Sequence, residues 1–397
     1  AEGGGGVLVS SEAAFLSIFR SFTGAALLAT IALFARQSLL VAYIALGVLA
    51  GPSVTGLVAD PHLIADLAHI GIIFLLFLLG LDLSPRKLLG QMREAVGVTL
   101  MSSLIFALLG YGVAFAAGLS RIDCLLVGMA STLSSTIIGL KLLPTTVLHH
   151  RHTGEVIISI LLLQDLIAIG ALLLLDTLAA GSMPWLRASL EIAGLPVLFV
   201  SGLAAERWVL RPLFHRFDKV GEYVFLLSLG WCLGLAQIAE SLGLSYEIGA
   251  FIGGITLANS PIAPFIAESL RPLRDFFLVM FFFALGAGFD LAGATAVWPA
   301  ALALAAGVLL IKPVTYRTLL RKFGESTILA GEAGVRLGQM SEFSLLLVAV
   351  ALQAQTISQQ AANLVQLATL ITFVVSSAFV VLRYPSPIAL SERLRRD

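Results

Sequence analysis

The chain has 397 residues, of which 58% are hydrophobic and 12% are charged, and its 24 Lys and Arg residues equal its 24 Asp and Glu residues in number. Because soluble proteins carry about 25% charged residues, this composition excludes an ordinary soluble domain, and the absence of net charge excludes a general electrostatic attraction to nucleic acid. Apolar runs of roughly 20 residues recur along the chain, each long enough to cross a bilayer core as a helix. We therefore predict an all-α polytopic membrane protein.

The predicted elements begin after a flexible, glycine-rich lead that covers residues 1–12. A transmembrane unit follows over residues 13–382, and residues 383–397 form a basic cytoplasmic tail. Apolar runs and the turn residues between them predict about thirteen spans in this unit. The spans lie near 13–35, 38–57, 63–81, 94–117, 122–142, 155–177, 189–210, 222–242, 245–259, 273–290, 295–316, 327–352 and 361–382.

The Lys and Arg side chains indicate the orientation of these spans. With the N-terminus outside, nearly all of them fall in loops on the inner side, whereas the outer loops hold only Arg121 and Arg187. This bias is typical of the positive-inside rule, so we expect a multi-pass protein of the bacterial inner membrane with a cytoplasmic C-terminus. The sequence has no strand–GxGxxG–helix pattern, and we therefore expect no nucleotide-binding domain and no cofactor.

Two spans contain polar interruptions at corresponding positions. Residues Ser131 to Thr136 interrupt the fifth span, and residues Gly338 to Glu342 interrupt the twelfth. The two spans are an odd number of helices apart, so a repeat that relates them is inverted, as in many secondary transporters, where interrupted helices indicate a midplane binding site. The alternative is that the Ser and Thr side chains bond to their own continuous helices, which is common in membranes.

An acidic residue, Asp165, lies near the middle of the sixth span. A carboxyl group at this depth is costly unless it reaches a cavity, finds a partner or takes up a proton. Burial favours its protonated form and a bound cation favours its ionised form, so one carboxylate can exchange a monovalent cation for a proton. The preceding Gln164 can offer a carbonyl oxygen to the cation without adding a second titrating group. The alternative is a static Asp165 that pairs with a neighbouring helix.

Further charged residues fall inside predicted spans. Lys312, in the eleventh, either pairs with the buried carboxylate when no ion is bound or extends along its helix to the cytoplasmic surface. Arg336 and Glu332 lie four residues apart in the twelfth span, a spacing that allows an ion pair, and Glu247 in the ninth is an alternative partner for Arg336. Glu342 lies beside the polar interruption, and it is a better candidate for the ion pathway than Arg336, Glu332 or Glu247.

A cytoplasmic loop contains His149, His150 and His152. We favour an ordinary solvated loop, and a pH sensor is the alternative because histidine titrates near neutrality. The spacing is poor for a closed metal site, and no Cys lies nearby. Elsewhere the sequence has no Ser–His pairing at membrane depth and no HExxH motif, so we do not expect an enzyme.

Several segments, taken in order, resemble a known family. They are GLVADPHLIADLAHIGIIFLLFLLGLDLSPRKL, TLSSTIIGLKLL, LLLQDLIAI, LSYEIGAFIGGITLANS, FFLVMFFFALGAGFDL and GVRLGQMSEFSLLL. Together they are similar to the second branch of the cation:proton antiporter superfamily, and most similar to the membrane domain of Kef-type potassium:proton antiporters. The resemblance extends over nearly all of residues 13–382.

This resemblance implies a sodium:proton-antiporter-like fold of thirteen spans. Such a fold has a dimerisation subdomain, a core subdomain and two crossing, unwound helices, which match the fifth and twelfth spans. The resemblance places the cation and the proton at Asp165, beside Gln164, with Lys312 as a charge partner in the core. Hydroxyls and freed carbonyls of the first interruption would complete the cation shell, from Thr132, Ser134 and Ser135.

The same resemblance implies a homodimer embedded in lipid, an elevator-like movement of the core subdomain, and potassium as the favoured cation because of the Gln-Asp pair. A sodium or lithium:proton antiporter of the same fold is the alternative selectivity, and a cation channel is the alternative class. Kef-type proteins end in a cytoplasmic regulatory domain gated by glutathione adducts, which we do not expect in this chain. Their regulatory loop corresponds to Ile266 to Arg271, which keeps only part of its pattern.

Overall fold

A computed structural model gives the fold. It describes residues 19, 22–32, 34, 39–52, 54–57, 61–82, 85–135, 152–179, 184–217, 220–242, 244–258, 260–289 and 291–384, with the backbone alone for some positions inside helices. Every regular element within these ranges is a helix. The all-α prediction is therefore confirmed for the part of the chain that the structure describes.

The helices are numbered α1 to α15 in chain order. They are α1 (Phe22–Ala32), α2 (Leu39–Ala50), α3 (Pro61–Asp82), α4 (Pro85–Ala116), α5 (Arg121–Thr132), α6 (His152–Ala179), α7 (Pro184–Ala205), α8 (Arg211–Phe217), α9 (Gly221–Ser241), α10 (Tyr246–Ala258), α11 (Ala263–Ala287), α12 (Leu291–Lys322), α13 (Thr327–Arg336), α14 (Glu342–Gln353) and α15 (Gln359–Arg383). A five-residue π-helix, Glu206–Leu210, joins α7 to α8.

Four of the described helices are long and apolar enough to cross a membrane by themselves. They are α9, α12, α15 and the Ala95–Ala116 part of α4. Shorter apolar helices include α1, α10 and α14. Because the described ranges leave gaps, the predicted total of thirteen spans, the inverted repeat and the side of the membrane at which each terminus lies remain predictions.

Contacts divide the chain into two compact units. The first includes Leu57–Gly90 and Leu173–Leu285, and so contains α3, α7 to α10 and most of α11. The second consists of Thr23–Gly56, Gln91–Leu172 and Gly286–Asp397, and so contains α2, α5, α12 to α15 and most of α4 and α6. The predicted assignment of dimerisation and core roles to parts of the chain stays a prediction.

In the first unit, α3 and α10 meet at their backbones because glycines remove side chains from the contact. A Cβ atom at Gly80 would collide with the carbonyl of Phe251, and one at Gly254 with the carbonyl of Phe77. An apolar core that includes Phe77 surrounds this contact. Small residues at a close helix crossing are the usual means of packing helices in a membrane.

In the second unit, α13 lies against α12 in a similar way. A Cβ atom at Gly334 would lie 2.6 Å from the carbonyl oxygen of Pro313, so only a glycine permits the two backbones to approach this closely. Pro313 directly follows Lys312 in α12. The contact therefore brings the last turn of α13 beside Lys312.

Both interrupted spans contain a helix that ends early. α5 ends at Thr132, and Leu133 is extended, with φ −80° and ψ 143°. α13 ends at Arg336, and α14 begins only at Glu342, with Ser341 as its N-cap. The predicted break in the twelfth span is confirmed. The fifth span unwinds where predicted, and its continuation after residue 135 lies outside the described residues.

A buried carboxylate, Asp123, ties the start of α5 to the start of α15. It accepts hydrogen bonds from Ser358 N at 2.8 Å, Ser358 Oγ at 3.0 Å and Ser120 Oγ at 2.9 Å. Ser120 and Ser358 are the N-caps of the two helices, so the negative charge lies at the positive ends of two helix dipoles. This junction fixes α5 against α15 at the end opposite the break.

Replacing Asp123 with Ala should lower the free energy of unfolding by roughly 3 kcal/mol, because hydrogen bonds to a charged group are the strong ones and their buried donors lose their acceptor. The measurement is the thermal unfolding midpoint of the detergent-purified protein. Arg121→Ala, at an exposed position two residues earlier in the same helix, is the matched control. Equal midpoints for the two variants would contradict a stabilising role for this junction.

Candidate functional site

The ammonium group of Lys312 joins the two helix breaks of the second unit. Its Nζ donates to Leu133 O at 2.6 Å, to Gln339 O at 3.1 Å and to Ser134 Oγ at 3.3 Å. The side chain is fully buried, and Nζ lies 5.0 Å from the centre of the Phe106 ring. Lys312 is therefore buried rather than extended to the surface, and its predicted pairing with the Asp165 carboxylate stays a prediction.

This arrangement is a cation site formed by backbone oxygens. A helix that ends inside the protein leaves carbonyl groups without partners, and each C-terminus carries a partial negative charge. α5 and α13 both end here, and an ammonium has three donors and no acceptor. Lys312 therefore supplies both the hydrogen bonds and the positive charge that the two ends require.

Gln164, in α6, completes the hydrogen bonding of the first break. Its Nε2 donates to Thr132 O at 2.8 Å, and its Oε1 accepts from Ser134 N at 3.1 Å. The orientation of the amide follows from these partners, because a carbonyl can only accept and a backbone N–H can only donate. Gln164 thus acts first as a cap for the unwound segment. Its predicted role as a cation ligand would depend on the remaining lone pair of Oε1.

Tyr316 belongs to the site although it was not among the predicted site residues. Its hydroxyl accepts from Gln164 Nε2 at 2.6 Å and lies 3.4 Å from Ser134 Oγ. Ser134 Oγ donates to Leu337 O at 3.0 Å. Tyr316 is four residues after Lys312, and this helical spacing places both on one face. That spacing is the signal that could have indicated it.

The second break is supported by polar side chains from α15. Gln339 donates through Nε2 to Arg336 O at 2.8 Å and accepts at Oε1 from Ser376 Oγ at 3.0 Å. Met340 N donates to Thr372 Oγ1 at 3.2 Å. Because Thr372 and Ser376 are four residues apart on one helix face, the sequence contained a pattern from which this support could have been predicted.

The predicted ligands of the first break have different roles. Thr132 Oγ1 donates to Met129 O at 2.7 Å, so this hydroxyl bonds to its own helix, as the alternative interpretation of the polar run proposed. Ser134, in contrast, bonds across to the second break. Ser135 is buried beside it. Asp165 follows Gln164 within α6, and its side chain lies outside the described residues.

The other predicted charged residues divide between the two units. In the second, Arg336 Nε and Nη2 both lie 2.9 Å from Glu332 Oε1, so the predicted pair with Glu332 is confirmed. In the first, Glu247 Oε1 lies 3.1 Å from His69 Nε2. Glu342 opens α14 and is buried.

The histidines of the predicted cytoplasmic loop lie largely outside the described residues. His149 and His150 fall in a gap, and His152 is described only as the first residue of α6. Their role therefore remains a prediction.

Comparison with known proteins identifies relatives of this chain. A family model described as "Sodium/hydrogen exchanger, transmembrane" matches residues 22–382. The chain is 30% identical over 348 residues to the iron transporter MagA of Paramagnetospirillum magneticum, a match that covers 86% of this chain and 79% of that protein. It is 29% identical to K(+) efflux antiporter 6 of Arabidopsis thaliana, with 79% of this chain and 54% of the relative covered.

A further relative is the putative cation/proton antiporter YbaL of Escherichia coli, which is 29% identical, with 83% of this chain and 61% of that protein covered. The chain thus spans a little over half of the length of the last two relatives. Among solved structures, the sodium proton antiporter MjNhaP1 of Methanocaldococcus jannaschii matches with a TM-score of 0.71 at 18% identity, and the match covers 92% of this chain and 95% of that one. This likeness shows that the fold is shared.

Replacing Gln164 with Leu should destabilise the protein, because the Ser134 N–H and the Thr132 carbonyl would both be left buried without a partner. Each such group costs about 1–3 kcal/mol, so we expect a clear fall in the thermal unfolding midpoint. Gln353→Leu, at the exposed end of α14, is the matched control. A midpoint as high as that of the control would show that Gln164 does not hold the first break together.

Proposed function

The chain belongs to the sodium/hydrogen exchanger transmembrane family of the cation:proton antiporter superfamily, and on this basis we propose that it exchanges a monovalent cation, most favourably potassium, for a proton. Exchange would take place by alternating access to Asp165. Asp165 would bind the cation and the proton in competition, and the helix break after α5 would supply the oxygen ligands.

The observation that carries the proposal is the meeting of two helix ends around Lys312. Oxygens of Leu133, Ser134 and Gln339 surround one buried positive charge, and ligands of this type replace the hydration shell of an alkali cation. Gln164 bonds to the same break, and the Cα atom of the next residue, Asp165, is about 3.8 Å from that of Gln164. This neighbourhood in the sequence supports a carboxylate near the oxygen-lined break.

Under this proposal the carboxylate of Asp165 holds either a cation or a proton. Burial penalises its bare ionised form, so one of the two must neutralise it before the site can change its exposure. A protonated carboxylate no longer attracts a cation, so the two do not bind strongly at once. Because Gln164 is neutral, a cycle carries one charge in each direction, and the exchange is electroneutral.

The choice of potassium is part of the proposal. It is supported by the Gln-Asp pair of the Kef-type resemblance and by the relative named as a K(+) efflux antiporter. Sodium or lithium exchange is the second candidate, favoured by the fold shared with a sodium proton antiporter. Iron is favoured less, because iron sites use His, Cys and carboxylate ligands, and within the described residues no three such groups cluster.

The remaining parts of the proposal concern assembly. We expect a homodimer in the bacterial inner membrane with the N-terminus outside, an inverted repeat relating the fifth and twelfth spans, and an elevator-like movement of the core. Such a movement needs compact bodies, and the chain divides into two. The proposal requires neither an enzymatic activity nor a cofactor.

The test is proton flux in vesicles that contain the purified protein and an internal pH dye. Pulses of potassium, sodium, lithium or ferrous iron should each be applied against a preset proton gradient. We expect potassium to dissipate this gradient at the lowest half-saturating concentration. Asp165→Asn should reduce this flux to the level of vesicles without protein, because an amide cannot hold a proton and release it. Asp275→Asn, at an exposed position, is the control.

Four results would contradict the proposal in different ways. A lower half-saturation for sodium or lithium would favour the second candidate, and a response to iron alone would reject a monovalent substrate. A steady cation current with no change of internal pH would indicate a channel. Full flux in Asp165→Asn would exclude Asp165 as the exchange site.

Replacing Lys312 with Gln should lower the half-saturation for potassium several-fold, because the oxygens of the breaks would no longer face a fixed positive charge. The same variant should also unfold at a lower temperature, since the carbonyls of Leu133 and Gln339 lose a charged donor. Lys322→Gln, exposed at the end of the same helix, is the matched control. A lower midpoint with an unchanged half-saturation would mean that Lys312 only supports the fold.

A further inference from the structure

A cavity of about 270 Å³ lies in the first unit, far along the chain from the helix breaks. One wall comes from α8, through Arg211, Phe214 and His215, and the other from the turn before α11 and its first residues, including Ile262 and Phe265. We refer to it as the basic cavity. None of its residues takes part in the proposed exchange site.

The charged wall of the basic cavity is held by a buried carboxylate. Arg211 Nε lies 3.3 Å from Glu206 Oε1, and the Glu206 side chain is only 7% exposed. Glu206 begins the π-helix between α7 and α8, and π-helical turns of this kind are often found at functional sites. Since the bond uses only Nε, the guanidinium keeps four further N–H donors, and nearly half of the side chain is exposed.

Two further cations increase the positive potential of this wall. Arg207 and Arg216 are exposed on the π-helix and on α8, whereas Glu206 offsets only the charge of its own partner, Arg211. The opposite wall is the N-terminal end of α11, whose helix dipole adds a partial positive charge. The cavity is therefore suited to an anion with several oxygens.

Large apolar side chains on the same elements are exposed, and one of them, Phe265, lines the cavity. Trp208 is 75% exposed, Phe265 is 46% exposed and Phe217 is 40% exposed. Trp and other aromatic residues collect at the headgroup level of a bilayer. Arginines, exposed aromatics and a cavity between helix ends are together the features of a lipid headgroup site rather than of a site for a fully solvated ion.

We propose that the basic cavity binds the phosphate of an anionic phospholipid. Arg211 and His215 donate to the phosphate oxygens, and Ile262 and Phe265 contact the glycerol and the first part of an acyl chain. In the predicted orientation, the loops rich in Lys and Arg lie on the cytoplasmic side. The basic cavity belongs to this end of the unit, so the lipid comes from the inner leaflet. The bound lipid fills the space between α8 and α11.

The experiment is native mass spectrometry of the full chain, purified in detergent and mixed with phosphatidylglycerol or phosphatidylcholine. We expect the wild-type protein to retain phosphatidylglycerol and not phosphatidylcholine. Arg211→Gln should retain roughly tenfold less phosphatidylglycerol, as expected for the loss of a charge-assisted contact to phosphate. Arg321→Gln, which removes the same charge at an exposed position of the second unit, should retain nearly the wild-type amount. Equal losses in the two variants, or equal retention of both lipids by the wild type, would overturn the proposal.

A second variant and a second measurement separate binding from folding. Arg211→Gln leaves Glu206 buried without its partner, whereas His215→Gln keeps that ion pair and should still reduce retention several-fold. Phosphatidylglycerol should also raise the thermal unfolding midpoint of the wild type and not of His215→Gln. If soluble glycerol 3-phosphate raised the wild-type midpoint equally, the ligand would be a phosphate from solution and the lipid proposal would be wrong.

Discussion

The structure depends on one requirement, that carbonyl groups released by interrupting a helix inside the protein must find donors. The hydrocarbon of a bilayer offers no such donors. Lys312 supplies the donors for Leu133 and Gln339, and Gln164 supplies one for Thr132. Two helices, α12 and α6, therefore supply donors to the breaks, and this arrangement is a consequence of how the fold satisfies its own hydrogen bonds.

The same requirement links stability to transport. Oxygens that must be satisfied by a cationic donor are also oxygens that can accept a metal cation, so the groups holding the fold together are close to those that would bind a substrate. Supporting contacts from α15 and the Asp123 junction hold the break from outside. Such supporting contacts favour fixed positions for the oxygens, as a preorganised binding site requires.

The sequence predicted those features that follow from local chemistry. Polar residues and a glycine within an apolar run located the break after Arg336, and the four-residue spacing of Glu332 and Arg336 located their ion pair. The depth of Lys312 was open because a long aliphatic stem allows its charge to reach either place. Tyr316 was missed because an aromatic residue in an apolar helix is usually a core residue, and only the three-dimensional arrangement of Ser134 and Gln164 gives it partners.

The electrostatics of the breaks change the role expected for Lys312. A helix C-terminus carries about half a negative charge, and two of them, from α5 and α13, meet at this ammonium. Together they offset its positive charge from the side of the backbone. The predicted pairing of Lys312 with Asp165 stays a prediction, since the Asp165 side chain lies outside the described residues. The hydrogen bonds to Leu133 and Gln339 give Lys312 a second role beside the ion competition, because the same ammonium group satisfies the carbonyls at both helix breaks.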